Sequence, residues 1–358
     1  MAIWPKTSAW PMSIVIDMPG TMPAPLLQRV PMSPSIIFDG GSPAALDEAV
    51  TTQASRDRES AALSTVNACA LTPRMVDMPA DSRLRVITWN IRSAIGTGPF
   101  PDRWWSRISA DRLRAIGAFL DGIGADLIAL QEVALLSRDG DLVDNAGDLA
   151  RQLGMQVRFG AVRTFDLVEE GASVGVGCFG NALLSRTGFR SSRTVALPAA
   201  PVDASVEPAG NDHDLAGIRY SEAPPTVREP RCLLLAEIDG LAVGSTHFSH
   251  IGSGERLLQA QATADVFADV SPALLLGDLN AAIEAPELAP LAGWTDGFGV
   301  AAADPARIST DDGLRIDQVL ARSASVSGCR VLREAGDLSD HLPVVAEVEL
   351  RGSGQHRR

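Results

Sequence analysis

Four apolar residues run directly into a polar turn at residues 273–280, which read ALLLGDLN. A short, wholly apolar run of this kind is typical of a strand that is buried on both faces. The run ends at Gly277, and Asp278 and Asn280 then stand two positions apart across a sharp turn. Because a rigid strand fixes the side chains at its end, this stretch predicts a buried strand that mounts two polar groups at a defined edge of a sheet.

Polar side chains also follow most of the other predicted strands. These strand ends carry Asn90, Gln131 with Glu132, His247, Asp278 with Asn280, Asp317, and Asp340 with His341. An Asn or Asp after one strand is more often a turn former than a functional group. Six such ends on one chain are harder to explain as turns, and they predict a single polar rim along one edge of the fold.

Apolar patterns predict strands and helices along most of the chain. Alternating or wholly apolar runs predict strands at 83–89, 126–130, 182–184, 232–238, 241–246, 273–276, 316–320, 326–332 and 344–350. Apolar residues at three- and four-residue steps predict helices at about 102–122 and 254–269. Residues 199–230 are rich in Pro, Ala, Asp and Glu and predict a long loop. The excess of strands over helices indicates packed sheets with helices on the outside.

One domain accounts for the patterned part of the chain, from about residue 82 to residue 350. Residues 1–80 hold seven of the eight methionines and ten of the 23 prolines and show no helical or strand period, so we expect a low-order N-terminal extension. A mis-assigned start, with the true start near Met75 or Met78, fits the same facts. Residues 351–358 are predicted to be a polar tail.

Composition excludes several classes of protein. With 46% hydrophobic and 21% charged residues, the 358-residue chain is of ordinary globular type. It has no apolar run of the roughly 18–20 residues that cross a bilayer. We therefore expect no stable membrane insertion and, without a convincing signal peptide, a cytoplasmic location. We expect a monomer.

Charge and rare residues exclude further chemistries. The net charge is −13, and Lys6 is the single lysine, which removes P-loop, Schiff-base and kinase-type lysines from the domain. A broad basic face for duplex DNA is disfavoured for the same reason. The four cysteines are at least 54 residues apart, so a zinc ribbon is excluded by spacing.

Seven short motifs, taken together, resemble the endonuclease/exonuclease/phosphatase superfamily, the group of DNase I, the AP exonucleases, the neutral sphingomyelinases and the inositol polyphosphate 5-phosphatases. The motifs are TWNI at 88–91, LQEV at 130–133, GNALLSR at 180–186, STH at 245–247, GDLN at 277–280, RIDQ at 315–318 and SDHLPV at 339–344. They occur in the family's order and span about 82–350. The resemblance implies a DNase I-like four-layer α/β sandwich, two packed β-sheets flanked by helices, which agrees with the excess of strands.

A metal site is part of what the resemblance implies. Glu132 is the expected metal ligand, with Asn90 as a neighbouring amide ligand and Asp340 as a direct or water-mediated one. Mg²⁺ prefers hard oxygen ligands and keeps several waters, so few carboxylates are needed. We expect Mg²⁺ as the cofactor, with Mn²⁺ as a substitute.

The remaining roles also follow from the resemblance. Asp278 is expected to orient and deprotonate the attacking water, and Asn280 to donate its amide to a phosphate oxygen. Asn181 adds a similar contact in a looser motif, where a turn-forming role is the alternative. Arg228 is a candidate phosphate contact, and a solvated arginine at the edge of a strand is equally compatible with its position.

Two histidines complete the expected site. His341 is expected to stabilise the phosphate as a cation and to be held by Asp317, since a carboxylate partner favours the protonated ring. His247 is offered as a general acid or a phosphate ligand.

The substrate is left open by the sequence. A metal-dependent phosphodiesterase, nuclease-like or general, is expected. Its expected binding partner is a phosphate-ester substrate, and nucleic acid is one candidate. A phosphomonoesterase and a phospholipid or sphingomyelin phosphodiesterase are the alternatives within the superfamily. Gln318 stands where AP exonucleases usually have tyrosine, which disfavours a dedicated AP endonuclease. A non-catalytic binding module is the remote alternative.

Overall fold

The structure is a computed structural model that describes residues 37–38, 83–99, 103–138, 141–199, 218–220, 230–299 and 307–350. The strands are β1 (Ile37–Phe38), β2 (Arg83–Asn90), β3 (Leu127–Arg138), β4 (Asp141–Asp144), β5 (Gln156–Glu169), β6 (Ala172–Ser185), β7 (Ser191–Leu197), β8 (Ile218–Tyr220), β9 (Arg231–Ile238), β10 (Leu241–His247), β11 (Ala273–Asp278), β12 (Thr295–Asp296), β13 (Asp317–Arg322), β14 (Ala324–Val331) and β15 (Val344–Leu350). The α-helices are α1 (Ala110–Ile123), α2 (Asn145–Leu153) and α3 (Ser253–Val266).

Two mixed sheets are formed by the described strands. The first runs in the order β1-β5-β6-β3-β2-β15-β14, with β4 beside β3 and β8 beside β5, and the second runs β12-β13-β11-β10-β9-β7. In each sheet one pair is parallel, β2 with β3 and β10 with β11. The strands that flank these pairs, β15 beside β2 and β13 beside β11, are antiparallel to them. Consequently the carboxyl ends of the parallel strands and the amino ends of β13 and β15 lie at the same edge of their sheets.

The core explains why several strands are wholly apolar. Leu234 of β9 packs in the layer that joins the two sheets, together with Leu274 and Val319. Its neighbours Leu233 and Leu235 pack on the opposite face, in the cluster that includes residues of α3. Successive side chains of a strand point to opposite faces, so a sheet that is covered on both faces needs apolar residues at every position. The predicted four-layer α/β sandwich is confirmed.

Helix α1 begins and ends at recognisable caps. The Ser109 hydroxyl accepts a hydrogen bond from the Arg112 amide at 3.2 Å, and Gly124 follows the helix in a left-handed conformation. The prediction of one helix from 102 was too long, because Trp104–Arg107 forms a separate 3₁₀ turn before this cap. Helix α2, which the apolar pattern did not indicate, is capped at its amino end by Asp144, whose carboxylate accepts from the Gly147 backbone amide at 2.8 Å.

The sequence pattern also underestimated the hairpin of β5 and β6. Several glycines interrupt the apolar pattern of β6, and Gly180 is required by close approach, since a Cβ there would lie 1.9 Å from the Gly160 carbonyl oxygen. The predicted loop at 199–230 contains a short strand, β8, which pairs with β5, while 200–217 and 221–229 are outside the described residues.

The predicted N-terminal extension and polar tail are outside the described residues, except for β1, which pairs with Phe159 and Gly160 of β5. None of the helices in the described ranges has both the length and the apolar character to span a membrane.

Candidate active site

The polar strand ends meet at one edge of the sandwich. In the second sheet, His247, Asp278 and Asp317 are register partners on three adjacent strands, His247 opposite Asp278 and Asp278 opposite Asp317. In the first sheet, Asn90 at the end of β2 is paired with Gln131. An Asn90 side-chain hydrogen bond joins the sheets, because its Nδ2 donates to Asp278 Oδ2 at 3.2 Å. The predicted polar rim is therefore a single cluster of side chains.

His341 lies at the centre of this cluster. Its Nδ1 is 2.9 Å from Asp317 Oδ2, and its Nε2 is 3.7 Å from Asp278 Oδ2. The Trp89 indole donates to the His341 carbonyl oxygen at 2.9 Å, which fixes the backbone. Burial by itself lowers the pKa of His341, but the carboxylates of Asp317 and Asp278 outweigh it and hold the pKa well above its ordinary value. The ring is therefore a cation near neutral pH.

Asp278 is a buried carboxylate with several hydrogen-bond partners. Its Oδ1 accepts from the Asn280 backbone amide at 2.9 Å, and its Oδ2 lies 3.3 Å from His247 Nε2. Burial raises the pKa of Asp278 to about 6 against the opposing effect of His341. A carboxylate with this pKa is ionised at neutral pH and still basic enough to accept a proton from water, which suits a general base.

Glu132 lies at a bulge in β3 rather than at the strand's end. Its φ is +51°, in the left-handed region, and the pairing of β3 with β6 shifts register between Leu130 and Val133. Asn90 Nδ2 donates to Glu132 Oε1 at 2.8 Å. Burial, followed by the charge of Asp340, raises the pKa of Glu132 to about 7. The strained backbone turns this carboxylate toward the other acids of the cluster.

His247 differs from His341 in its charge. It is buried, with Nδ1 4.0 Å from Glu132 Oε1 and without a hydrogen-bond partner among the described residues. Burial, followed by the positive charges of Arg231 and His341, lowers the pKa of His247 well below its ordinary value. The neutral ring has only one N–H, and a proton on Nε2 would face Asp278 Oδ2 at 3.3 Å.

Asp340 is the most exposed carboxylate of the cluster, with about a third of its side chain (33%) accessible, and it is held by an arginine that the sequence analysis did not select. Arg92 Nε lies 3.1 Å from Asp340 Oδ2, and its Nη1 donates to the Gly96 and Gly98 carbonyl oxygens at 2.8 Å each. Arg92, Ser93 and Ala94 all have positive φ. This left-handed turn brings the Arg92 guanidinium within ion-pair distance of the Asp340 carboxylate.

The amides predicted to contact phosphate are engaged within the protein. Asn280 Nδ2 donates to the Phe248 carbonyl oxygen at 2.8 Å. Asn181 is buried, and its Nδ2 donates to the Cys232 carbonyl oxygen at 3.0 Å. Their roles as phosphate ligands stay predictions.

Arg228 is outside the described residues, but Arg231 of the same segment is buried at the start of β9. Its charge lowers the pKa values of both Glu132 and His247, which places it beside the cluster.

The cluster fits a divalent cation. Ligand atoms of Asp278, Asp317 and His341 lie within 4.8 Å of one another, so acidic and histidine groups that could hold an ion are close together. In that group, however, Asp317 Oδ2 and His341 Nδ1 already bind each other. Glu132 and Asp340 offer carboxylate oxygens instead, and the charge of Asp340 raises the pKa of Glu132, a repulsion that a bound cation would relieve.

Comparisons with known proteins agree with this geometry. The sequence profile of the Endonuclease/Exonuclease/phosphatase family matches residues 87–341, and the chain belongs to that family. The family is one of phosphoesterases, generally hydrolytic. A search of curated proteins found no match.

Solved structures with the same fold are distant in sequence. An endonuclease/exonuclease/phosphatase from Beutenbergia cavernae is 23% identical with a TM-score of 0.55, over 75% of this chain and 72% of that one. One from Bacteroides vulgatus is 20% identical with a TM-score of 0.50, over 75% and 99%. A family protein from Leptotrichia buccalis is 14% identical with a TM-score of 0.50, over 75% and 100%. At these identities the likeness establishes the DNase I-like fold and leaves the substrate open.

Proposed function

We propose that the protein is a Mg²⁺-dependent phosphodiesterase, nuclease-like or general, that hydrolyses its substrate by attack of a water molecule. The observation that supports it best is the pair of Asp278 and His341, whose Oδ2 and Nε2 atoms are 3.7 Å apart. The pKa of Asp278 is about 6 and the pKa of His341 is well above its ordinary value, so a base and a cation stand side by side at neutral pH. A base that activates the water and a cation that stabilises the developing negative charge both accelerate hydrolysis of a phosphate ester.

The chain's own groups account for the activation of the attacking water and for the stabilisation of the charge that develops on the phosphoryl group. Asp278 accepts a proton from the attacking water, whose oxygen forms a bond to phosphorus as the bond to the leaving oxygen breaks. His341 stabilises the negative charge that develops on the phosphoryl oxygens, and Asp317 keeps its ring charged and oriented. The leaving oxygen regains a proton from the surrounding water. His247, which is neutral and lies 3.3 Å from Asp278 Oδ2, contributes a hydrogen bond rather than a proton.

Glu132 and Asp340, with Asn90 beside them, would hold the cation. A bound Mg²⁺, or Mn²⁺ in its place, would supply neutralisation of the phosphoryl oxygens. The raised pKa of Glu132, about 7, has a consequence for this site. Because a proton on Glu132 competes with the cation, we expect the affinity for Mg²⁺ to fall as the pH decreases below about 7.

The charge of the chain constrains the substrate. Tight binding to duplex DNA depends on many phosphate contacts from Lys and Arg, and this chain has a net charge of −13 with one lysine. A phosphodiester with few charges, or a nucleic acid held at few phosphates, suits the site better than a long duplex.

A panel assay tests the proposal. Purified protein with Mg²⁺ is offered plasmid DNA, single-stranded DNA, RNA, bis-p-nitrophenyl phosphate, p-nitrophenyl phosphate and sphingomyelin, and each reaction is repeated with EDTA. We expect cleavage of at least one diester, loss of that cleavage with EDTA, and loss in the Asp278→Asn variant. Hydrolysis of the monoester alone would replace the proposal by a phosphomonoesterase, and cleavage of sphingomyelin alone by a lipid phosphodiesterase. Inactivity on the whole panel with either metal would favour a binding module.

A further inference from the structure

Ser309 is a buried residue that contacts Asp317 in two ways. Its hydroxyl donates to Asp317 Oδ2 at 2.6 Å and accepts from the Asp317 backbone amide at 3.3 Å. The same Oδ2 receives His341 Nδ1 at 2.9 Å. Ser309 and Asp317 are both fully buried. Because the serine oxygen already accepts an N–H, its own proton is directed to the carboxylate.

The backbone around Ser309 also holds the other member of the pair. The Leu342 amide donates to the Ser309 carbonyl oxygen at 2.7 Å, and Thr310 forms a β-bridge with His341. The Ser309 amide in turn donates to the Leu314 carbonyl oxygen at 2.8 Å. One short segment therefore binds the Asp317 side chain and the His341 backbone at the same time.

The second oxygen of Asp317 shows what the serine contributes. Asp317 Oδ1 is buried and makes no hydrogen bond to any residue that the structure describes. Both hydrogen bonds of the carboxylate are therefore concentrated on Oδ2. Without Ser309 the carboxylate would keep one of these two partners, and rotation about its terminal torsion, which is broad for Asp, would be less restricted. A fully buried charge with one partner is also poorly compensated.

We propose that Ser309 is a positioning residue that orients the Asp317 carboxylate toward His341, so that serine, aspartate and histidine act as a chain. The inference deepens the proposed function and rests on it only for its effect on rate. The sequence gives no signal for this role, since Ser309 belongs to none of the seven motifs and lies eight residues before Asp317 in the chain.

Proton NMR tests the orientation without any substrate or metal. The Nδ1 proton of a histidine that binds a carboxylate resonates far downfield, and the signal of His341 is assigned by its loss in His341→Ala and its shift in Asp317→Asn. We expect Ser309→Ala to move this signal upfield or to broaden it by exchange, while Ser309→Thr, which keeps the hydroxyl, retains it. Ser185→Ala, which removes another buried serine hydroxyl, is the matched control and should leave the signal unchanged.

A folded Ser309→Ala variant with an unchanged signal would overturn the proposal. If that variant fails to fold by circular dichroism, Ser309→Cys is measured instead. A thiol keeps the volume but donates weakly, so a signal identical to wild type in Ser309→Cys would overturn the proposal equally.

Kinetics with any substrate found by the panel test whether Ser309, Asp317 and His341 act as one hydrogen-bonded series. We expect Ser309→Ala to lower kcat by up to roughly a hundredfold with little change in KM, since misplacing a reacting group costs rates of this order. The loss should disappear when Asp317 is already Asn, because a residue that acts through Asp317 has nothing left to orient. An equal loss in both backgrounds would show an independent structural role. If no substrate is found, the proposed function fails while the NMR result still decides the role of Ser309.

Discussion

His341 Nδ1 lies 2.9 Å from Asp317 Oδ2, although the two residues are 24 positions apart in the chain. Asp317 begins β13 in the second sheet, and His341 lies three residues before β15, the last strand of the first sheet. The pair therefore links the two sheets at the edge where the other acids meet. Asp317 is one cause of the raised pKa of His341, so the contact between the start of β13 and the segment before β15 helps to keep the ring charged.

The first prediction concerns this pair. Asp317→Asn removes a negative charge that raises the pKa of His341, so the pKa should fall. If the protonated ring is the working form, activity is lost as the pH rises through that pKa. The alkaline limb of the pH profile of kcat/KM should then move to lower pH in the variant. Asp121→Asn, which removes an exposed carboxylate on α1, is the control, and an unshifted limb in Asp317→Asn would show that the pair does not set the working charge.

The second prediction concerns His247. Its pKa is held well below the ordinary value by burial, followed by Arg231, so the ring is neutral at the pH where His341 is charged. A neutral ring is a poor proton donor to a leaving oxygen but a good hydrogen-bond donor. We expect His247→Ala to slow hydrolysis of substrates with good and poor leaving groups by similar factors, measured on p-nitrophenyl and alkyl esters. A loss that shrinks for p-nitrophenolate would instead identify a general acid.

The strand ends were the part of the site that the sequence could predict. A run of buried apolar residues ends where its strand leaves the core. A polar residue at that point is therefore expected to lie at the edge of the sheet, where the candidate site is. Asp278, His247 and Asn90 follow this rule. Glu132 follows it only in part, since β3 continues to Arg138 and the carboxylate turns toward the site at a bulge. The local sequence shows that the apolar run stops, but not that the strand resumes.

The contacts that no local pattern could predict are those between segments remote in the chain. Arg92 reaches Asp340 across 248 positions of sequence, and its three-residue left-handed turn contains no glycine to mark it. The side-chain amide of Asn280 donates to the Phe248 carbonyl oxygen, because the two loops that follow β10 and β11 meet there. The GDLN motif alone does not predict this contact. The length of the β5–β6 hairpin was underestimated, with only 182–184 predicted as a strand, because glycines that allow close backbone approach also remove the apolar alternation.

A third prediction assigns a phosphate contact to Arg231. The positive charge of Arg231 lowers the pKa values of both Glu132 and His247, two residues of the cluster. A charge-assisted hydrogen bond to a phosphate oxygen would contribute about 1.5–3 kcal/mol to binding. Arg231→Met should therefore raise KM by roughly 10- to 100-fold with a smaller change in kcat, in steady-state kinetics at saturating Mg²⁺. Arg193→Met, an exposed arginine on β7, is the matched control. An unaltered KM in Arg231→Met would contradict the assignment.

A fourth prediction concerns the region before the domain. The residues of the described core and of the candidate site lie between 83 and 350, and β1 adds two paired positions at the edge of the first sheet. A chain that begins at Met78 should therefore fold and keep the activity of the full chain. Differential scanning calorimetry and kcat/KM measure this, and a fall of many degrees in Tm would show that the missing residues pack on the sandwich.

The last prediction joins metal binding to stability through Glu132. Because the pKa of Glu132 rises from 4.5 in the unfolded chain to about 7 in the fold, the folded state binds the proton more tightly. The stability that this proton contributes is fully present below about pH 4.5 and is lost as the pH rises through about 7. Glu132→Gln cannot ionise, so in EDTA it should be more stable than wild type at pH 8, by on the order of 3 kcal/mol, and only slightly so at pH 5.

Adding Mg²⁺ should reverse that order. At pH 8 a saturating cation binds wild type and raises its Tm, whereas Glu132→Gln, which lacks the charged ligand, should show little change. The same variant should need more metal and lose two or more decades of turnover, the order found when an electrostatic stabiliser is removed. Glu284→Gln, which neutralises a carboxylate outside the cluster, should respond to Mg²⁺ as wild type does. Full turnover of Glu132→Gln in trace metal, or equal Mg²⁺-induced shifts in Tm, would remove Glu132 from the metal site.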